Sequence, residues 1–290
     1  SSFLICAKEK YVTHMLTIDP KSEKTALVHK YILGAVAPRP IAFASTIDND
    51  GNLNLSPFSF FNAFSANPPI LIFSPARRVR GNTIKHTLEN VTQNNEVVIS
   101  IVTAEMAQQV SLSSCDFEKG VNEFEKAGFT AVKSEIIKPF CVKESPVNFE
   151  CKVNQIISLG EEGGSGNLVI CEILKIHINK EILDDENNID PLKLNALSRL
   201  GGNWYGKSTK DSLFELGKPI GKISMGIDKL PEEIKNSEIL TGNELAILAS
   251  SESIPEKTVS ENSFTVSEKH EKAKQLLLEG KSEEAWQILL

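Results

Sequence analysis

Residues 38–83 constrain the fold more than any other part of the chain. Prolines and an Asp-Gly turn cut this stretch into pieces too short for helices yet apolar enough for strands. The run 41–47, with Ile41, Phe43 and Ile47, reads as one strand, and Asp48-Asn49-Asp50-Gly51 after it is a hairpin signal. The run 70–74 reads as another, fenced by Pro68, Pro69 and Pro75, which a central strand cannot contain. The pattern predicts three short strands joined by turns and then a helix. Ile84, Leu88 and Val91 fall at helical spacing, with Asn82 or Thr83 as N-cap.

The polar residues of the stretch point to a ligand. Ser45, Thr46, Ser56, Ser59 and Asn62 are small polar groups set among Phe58, Phe60, Phe61 and Phe64. Buried unpaired, such groups are costly, and a flat aromatic ligand with polar edges would pair them. Between Pro68 and Thr87 lie four cations (Arg77, Arg78, Arg80, Lys85) and no acid, in a chain of net charge −7. This inversion precedes a helix N-terminus, where free N–H groups and the helix dipole favour an anion. A phosphate held by Thr83 and one or two arginines is the sharp reading, and a solvated basic loop the competing one. Spacing does not separate Arg78 from Arg77 or Arg80.

Several spaced segments resemble the flavin reductase-like family, flavoredoxin and its relatives. They are Arg39-Pro40-Ile41-Ala42, Ser45-Thr46, Asp50-Gly51, Asn54-Leu55, Pro57-Phe58-Ser59-Phe60-Phe61-Asn62, Pro68-Pro69 and Asn82-Thr83. Later matches are Glu123-Phe124, Ala127-Gly128, Glu144-Ser145-Pro146, Glu150-Cys151, 198–202 and Tyr205. One position departs from the family pattern: Asn82 stands where an acidic residue is expected before Thr83.

The resemblance implies an antiparallel Greek-key split β-barrel that binds FMN, mainly β with helices. It implies cofactor contacts from Ser45, Thr46, Ser56, Ser59, Phe60, Asn62, Arg78, Asn82, Thr83 and Tyr205. NADH or NADPH would be the electron donor, and a homodimer the assembly. An NAD(P)H-dependent flavin reductase follows. The alternative is a flavoredoxin-like FMN electron carrier, reduced by a protein partner and lacking a nicotinamide site. A third reading is a barrel without flavin, serving as an interaction protein.

No Ser/His/Asp set, carboxylate pair or metal-ligand spacing emerges, and the five histidines are scattered. We assign no catalytic side chain and no metal. Flavin chemistry fits this, because the cofactor carries the hard step and the protein positions it.

The remaining chain supports one barrel and an appendage. Residues 1–15 read as a non-native or flexible lead, 16–207 as the barrel and 208–290 as a helical C-terminal extension, with a linker at 251–267. Expected elements are a helical turn at 22–29, a strand at 96–102, short helices at 104–112 and 121–127, and a long hairpin at 147–157 and 168–178. Another helix is expected at 234–249. Ala273, Leu277, Ala285 and Leu289, with Gly280 between them, resemble one tetratricopeptide helical hairpin, read as a docked tail without chemistry of its own. The acidic balance argues against nucleic-acid binding, and no apolar run reaches membrane-spanning length. Five cysteines without a Cys-x-x-Cys pair fit buried, reduced thiols and a cytoplasmic protein.

Overall fold

The computed structural model describes residues 14–217, 219–258 and 263–290. Most of the lead read from the sequence therefore lies outside the described residues. Contacts divide the chain after Phe214, whereas the sequence reading ends the barrel near Lys207.

The first unit opens with helix α1 (Thr25–Ala35), and the stretch rich in prolines follows as β1 (Arg39–Pro40), β2 (Ala42–Ile47), β3 (Leu53–Phe58), β4 (Phe61–Ala66) and β5 (Pro69–Phe73). The expected turn closes β2 and β3. Gly51 takes φ +88°, and the Asp48 carboxylate accepts the N–H groups of Asp50 and Asn52. Helix α2 (His86–Asn94), β6 (Glu96–Ile101), α3 (Ala107–Ser113) and α4 (Glu123–Ala127) come next. Then follow β7 (Ala131–Val132), β8 (Cys141–Val142) and the long hairpin β9 (Val147–Ser158) with β10 (Asn167–Ile178). The short α5 (Pro191–Leu194), β11 (Ser198–Arg199) and β12 (Tyr205–Gly206) follow, before a single 3-10 turn at Lys210–Ser212.

Seven strands form one antiparallel sheet in the order β3-β2-β6-β9-β10-β5-β4. Its two edge strands are joined only by Ser59 and Phe60. A flat sheet of seven strands would hold its edges roughly 29 Å apart at ~4.8 Å per strand. Two linking residues reach only about 10 Å. The sheet must therefore curl until its edges nearly meet, which makes it a barrel split between β3 and β4. Here the structure corrects the expectation of three strands. The segment 53–66 breaks at Ser59-Phe60 because it serves both edges, and the stretch forms four strands of the large sheet, β2 to β5, besides the short β1. Pro57 is tolerated in β3 because β3 is an edge, and Pro69 because it is the first residue of β5.

The interior divides along the two faces of β2. On one, Ala42 and Ala44 pack with Phe58, Phe73, Val97, Ile99, Cys151, Cys171 and, from α2, Leu88 and Val91. On the other, Ile41 and Phe43 pack with Leu55, Val110 of α3, and Phe124 of α4. Gly128, at φ +71°, stops α4 as expected. The N-cap of α2 is Lys85, not Asn82 or Thr83. Asn82 sits in the left-handed region at φ +48°, and the Arg78 N–H donates to the Thr83 carbonyl, so loop 78–83 closes on itself before the helix begins.

The second unit contains α6 (Glu232–Lys235), α7 (Gly242–Ala249), α8 (Val266–Leu278) and α9 (Ser282–Leu289). The helix expected over 234–249 is two helices. Ser237 Oγ accepts the N–H groups of Ile239 and Leu240, and Thr241 with Glu244 forms a capping box that starts α7. Helices α8 and α9 turn at Gly280, φ +77°, and bury Ala273, Leu277, Ala285 and Leu289 together with Leu248 and Trp286. This is the helical hairpin the sequence indicates. Among the described residues, no helix is long and apolar enough to cross a membrane.

Candidate functional site

Alternate side chains of a strand point to opposite faces, so Ser45 and Thr46 part company. Thr46 faces α2, where its hydroxyl donates to Asn54 Oδ1 at 3.3 Å and accepts from Asn90 Nδ2 at 3.0 Å. Ser45 lies on the other face, fully buried, and its Oγ has no hydrogen-bond partner among the described residues. Asn54 extends the network around Thr46, accepting from the Thr87 hydroxyl at 2.7 Å and donating to Glu123 Oε1 at 2.9 Å. The second oxygen of Glu123 takes the Leu55 N–H at 3.0 Å. This interior chain of bonds ties β2, β3, α2 and α4 together and forms the floor of a small polar cavity.

Ser56, Arg78, Lys85, His86, Cys115 and Asp116 line that cavity above Asn54 and Glu123. The loop separates the arginines that spacing leaves equivalent. Arg77 turns away from the cavity, donating to the Asn82 side chain at 2.7 Å and its carbonyl at 2.8 Å. Arg78 turns toward it, anchored through Nη1 to the Ile84 carbonyl at 2.7 Å and Thr83 Oγ1 at 3.2 Å. Its Nε lies 3.5 Å from the exposed carboxylate of Asp116. Arg80 and Thr83 are exposed, and Asn82 donates to the Glu161 carbonyl. Asn82 and Thr83 thus shape the loop that holds the two arginines.

A second cleft of about 180 Å³ adjoins the first and shares Ser114 with it. Ile41, Pro57 and Val110 give it apolar walls, and Ser59, Ser111, Arg199 and Tyr205 its polar groups. The Arg199 guanidinium stacks over the Tyr205 ring at 4.5 Å from its centre. Six of the ten expected residues line neither cleft: Ser45 and Thr46 are buried in the barrel, Asn82 and Thr83 shape the loop, and the other two sit elsewhere. Phe60 packs edge-on against His29, and Asn62 is exposed on β4, its Oδ1 taking the Ala63 N–H. The structure thus gathers Ser56 and Arg78 around one cavity, and Ser59 and Tyr205 around its neighbour.

Glu123, Ser114 and Asp116 are site residues that the sequence reading did not select. Glu123 belongs to a matched segment, but its role depends on α4 packing under β3. Burial pushes the Glu123 carboxyl above its ordinary range, against the bonds from Leu55 and Asn54 that favour its charge. Arg78, Lys85 and His86 still leave the cavity rich in donors for an anion.

This donor set tests the cofactor that the resemblance implies. A hydroxyl and three cationic or potentially cationic groups suit a phosphate, and a cleft with apolar walls and serines along its edge suits a flat heteroaromatic ring. The residues fit FMN in kind. The polar cavity itself is tight, about 20 Å³ and so room for one water. A phosphate there needs residues 114–117 to give way, and Asp116 is the side chain tying them to Arg78. Exposed ion pairs of this kind are weak. Replacing Asp116 by alanine is therefore expected to raise FMN affinity roughly three- to fivefold, about 1 kcal/mol. A titration following flavin fluorescence checks this; unchanged or weaker binding would mean that Asp116 does not compete with the ligand.

The curled sheet and its flanking clefts define an antiparallel split-barrel protein with a pocket beside β3 lined by Arg78, Lys85 and His86. Residues 34–194 match the flavin reductase like domain, and the chain belongs to that family. An uncharacterized protein of Aquifex aeolicus (strain VF5) is 38% identical over 181 residues, covering 62% of this chain and 90% of that one. Nitrilotriacetate monooxygenase component B from Bacillus cereus superimposes with TM-score 0.65 at 29% identity, covering 70% of this chain and 98% of that one. The 2-nitrobenzoate 2-nitroreductase NbaA of Pseudomonas fluorescens gives TM-score 0.63 at 26% identity, covering 73% and 100%.

Proposed function

We propose that this chain is an FMN-binding oxidoreductase of the flavin reductase type, taking hydride from NADH or NADPH. The observation that carries the reading is the convergence of Ser56, Arg78, Lys85 and His86 on one cavity beside an apolar cleft. Family membership supports it, as do the names of two structural relatives, a monooxygenase component and a nitroreductase. When bound, FMN supplies the hydride-accepting ring. Arg78, Lys85 and Ser56 would hold its phosphate, and Pro57, Val110 and Tyr205 would shelter the ring.

A homodimer accompanies this reading. Strand β4 is a sheet edge with five of its six residues exposed, and Phe64 is 63% exposed. A second copy would cover this edge, which would otherwise invite uncontrolled pairing.

Anaerobic addition of NADH, then NADPH, to the flavin-loaded protein tests the activity. Bleaching of the visible flavin band by either one at a catalytic rate is expected. A band that neither bleaches, while a reduced protein partner does, would favour the electron-carrier alternative. The second unit lies beyond the family match, so a chain ending at Phe214 is expected to keep its full flavin content. A colourless truncated protein that remains folded would overturn that expectation.

A further inference from the structure

On the face of β9 turned away from α2, loop 133–140 and β8 after it cover a cluster that the flavin reading does not use. Glu150, fully buried, accepts the N–H groups of Glu135 at 2.8 Å and Ile136 at 2.9 Å, which pins the loop to the sheet. His177 reaches it from β10, with Nε2 2.7 Å from Glu150 Oε1. The buried Cys141 Sγ completes the group, and the three donor atoms lie within 4.8 Å of one another. On its other side, His177 Nδ1 is 3.9 Å from Glu135 Oε1.

We propose that Cys141, Glu150 and His177 form a binding site for a divalent cation of borderline softness, zinc above all. One sulfur, one imidazole and one carboxylate are the donor types zinc takes. The three donor atoms lie within reach of one ion, and the 2.7 Å between Nε2 and Oε1 must widen by roughly half an ångström for both to ligate it with bonds of about 2.0–2.3 Å. Glu135, ion-paired with Lys175, lies near the histidine's other nitrogen, from where a small shift would let its carboxylate orient the ring. The acid-base balance is simple. The Cys141 thiol gives its proton to solvent, and His177 keeps one ring proton, on Nδ1 facing Glu135. Nε2 then faces the ion instead of Glu150. With a neutral histidine, one proton leaves per ion bound, so binding strengthens as pH rises.

Buried hydrogen bonds alone could hold the loop, and that is the rival account. One feature favours a cation. Among the described residues no Lys or Arg is bonded to the fully buried carboxylate of Glu150. An ion held by the three donor atoms would sit directly against that charge. The site rests on residues away from the flavin clefts, so its test is independent of the flavin reading.

The test is equilibrium dialysis of the purified full chain against Zn²⁺ alone, with metal counted by mass spectrometry. One zinc per chain is expected, with a thermal midpoint raised by about 5 °C. Co²⁺ in place of zinc is expected to give the charge-transfer absorption of a cobalt–thiolate bond. Cys141→Ser and His177→Gln are expected to lose both signals. Glu135→Gln is expected to weaken binding roughly tenfold. Cys115→Ser, which changes the exposed thiol, should leave binding intact. Circular dichroism confirms that each variant is folded. The proposal fails if the natural chain retains no zinc, if zinc survives unchanged in Cys141→Ser and His177→Gln, or if only Cys115→Ser abolishes it.

Discussion

Replacing Arg78 by alanine is expected to weaken FMN binding by roughly 10- to 100-fold, the value of one charge-assisted hydrogen bond at about 1.5–3 kcal/mol. Arg78 is the arginine of its loop that turns into the cavity of Ser56, Lys85 and His86, and it is already oriented by the Ile84 carbonyl and the Thr83 hydroxyl. That anchoring means little side-chain entropy is lost when an anion arrives. Arg77→Ala serves as the matched comparison. Its guanidinium is committed to Asn82, so its loss should loosen the loop and weaken binding far less. Affinities from calorimetry, with riboflavin as a ligand lacking the phosphate, separate charge from ring binding. Riboflavin should be insensitive to Arg78→Ala. Equal losses for both ligands would mean that Arg78 does not meet the phosphate.

Glu123→Ala should be the costliest change for stability. It strands the Leu55 N–H and Asn54 Nδ2 in the interior, at about 1–3 kcal/mol for each group. A loss of about 3 kcal/mol lowers the midpoint of a unit this size by roughly 6–12 °C. The pH dependence has a definite sign. Because the folded carboxyl titrates above its ordinary value of 4.5, its contribution is complete below that pH and falls away as pH rises through the folded value. Against Glu123→Gln, which stays neutral throughout, the stability of the natural chain should therefore decline as pH is raised from 4.5. A gap that widens instead would mean that the buried carboxylate is stabilised as the anion.

Much of this architecture was legible in residues 38–83. The Asp48 turn, the strand runs and the fencing prolines each dictate local geometry, and edge placement explains why Pro57 and Pro69 are tolerated. The break at Ser59-Phe60 was hidden because it follows from closure of the whole sheet and from no local signal. The same holds at the site. Three nearby arginines look alike in sequence, and only the loop's internal bonds send Arg77 one way and Arg78 the other. Ser45 and Thr46 are adjacent, so strand alternation sends them to opposite faces of β2. Glu123 and Asp116 join the site through α4 and the turn after α3, far in sequence from residues 38–83. Cys141, Glu150 and His177 gave no metal spacing because they come from three different strands, and the register of the β9–β10 hairpin brings the last two together.

Crystals grown with FMN test most directly where the phosphate of the proposed cofactor binds. Density for the phosphate between Arg78, Lys85 and Ser56, with the ring running toward Pro57 and Tyr205, is the predicted result. A phosphate lodged beyond Arg77, along Ile84 and Ile156, or a cleft still closed by Asp116 at saturating FMN, would contradict it.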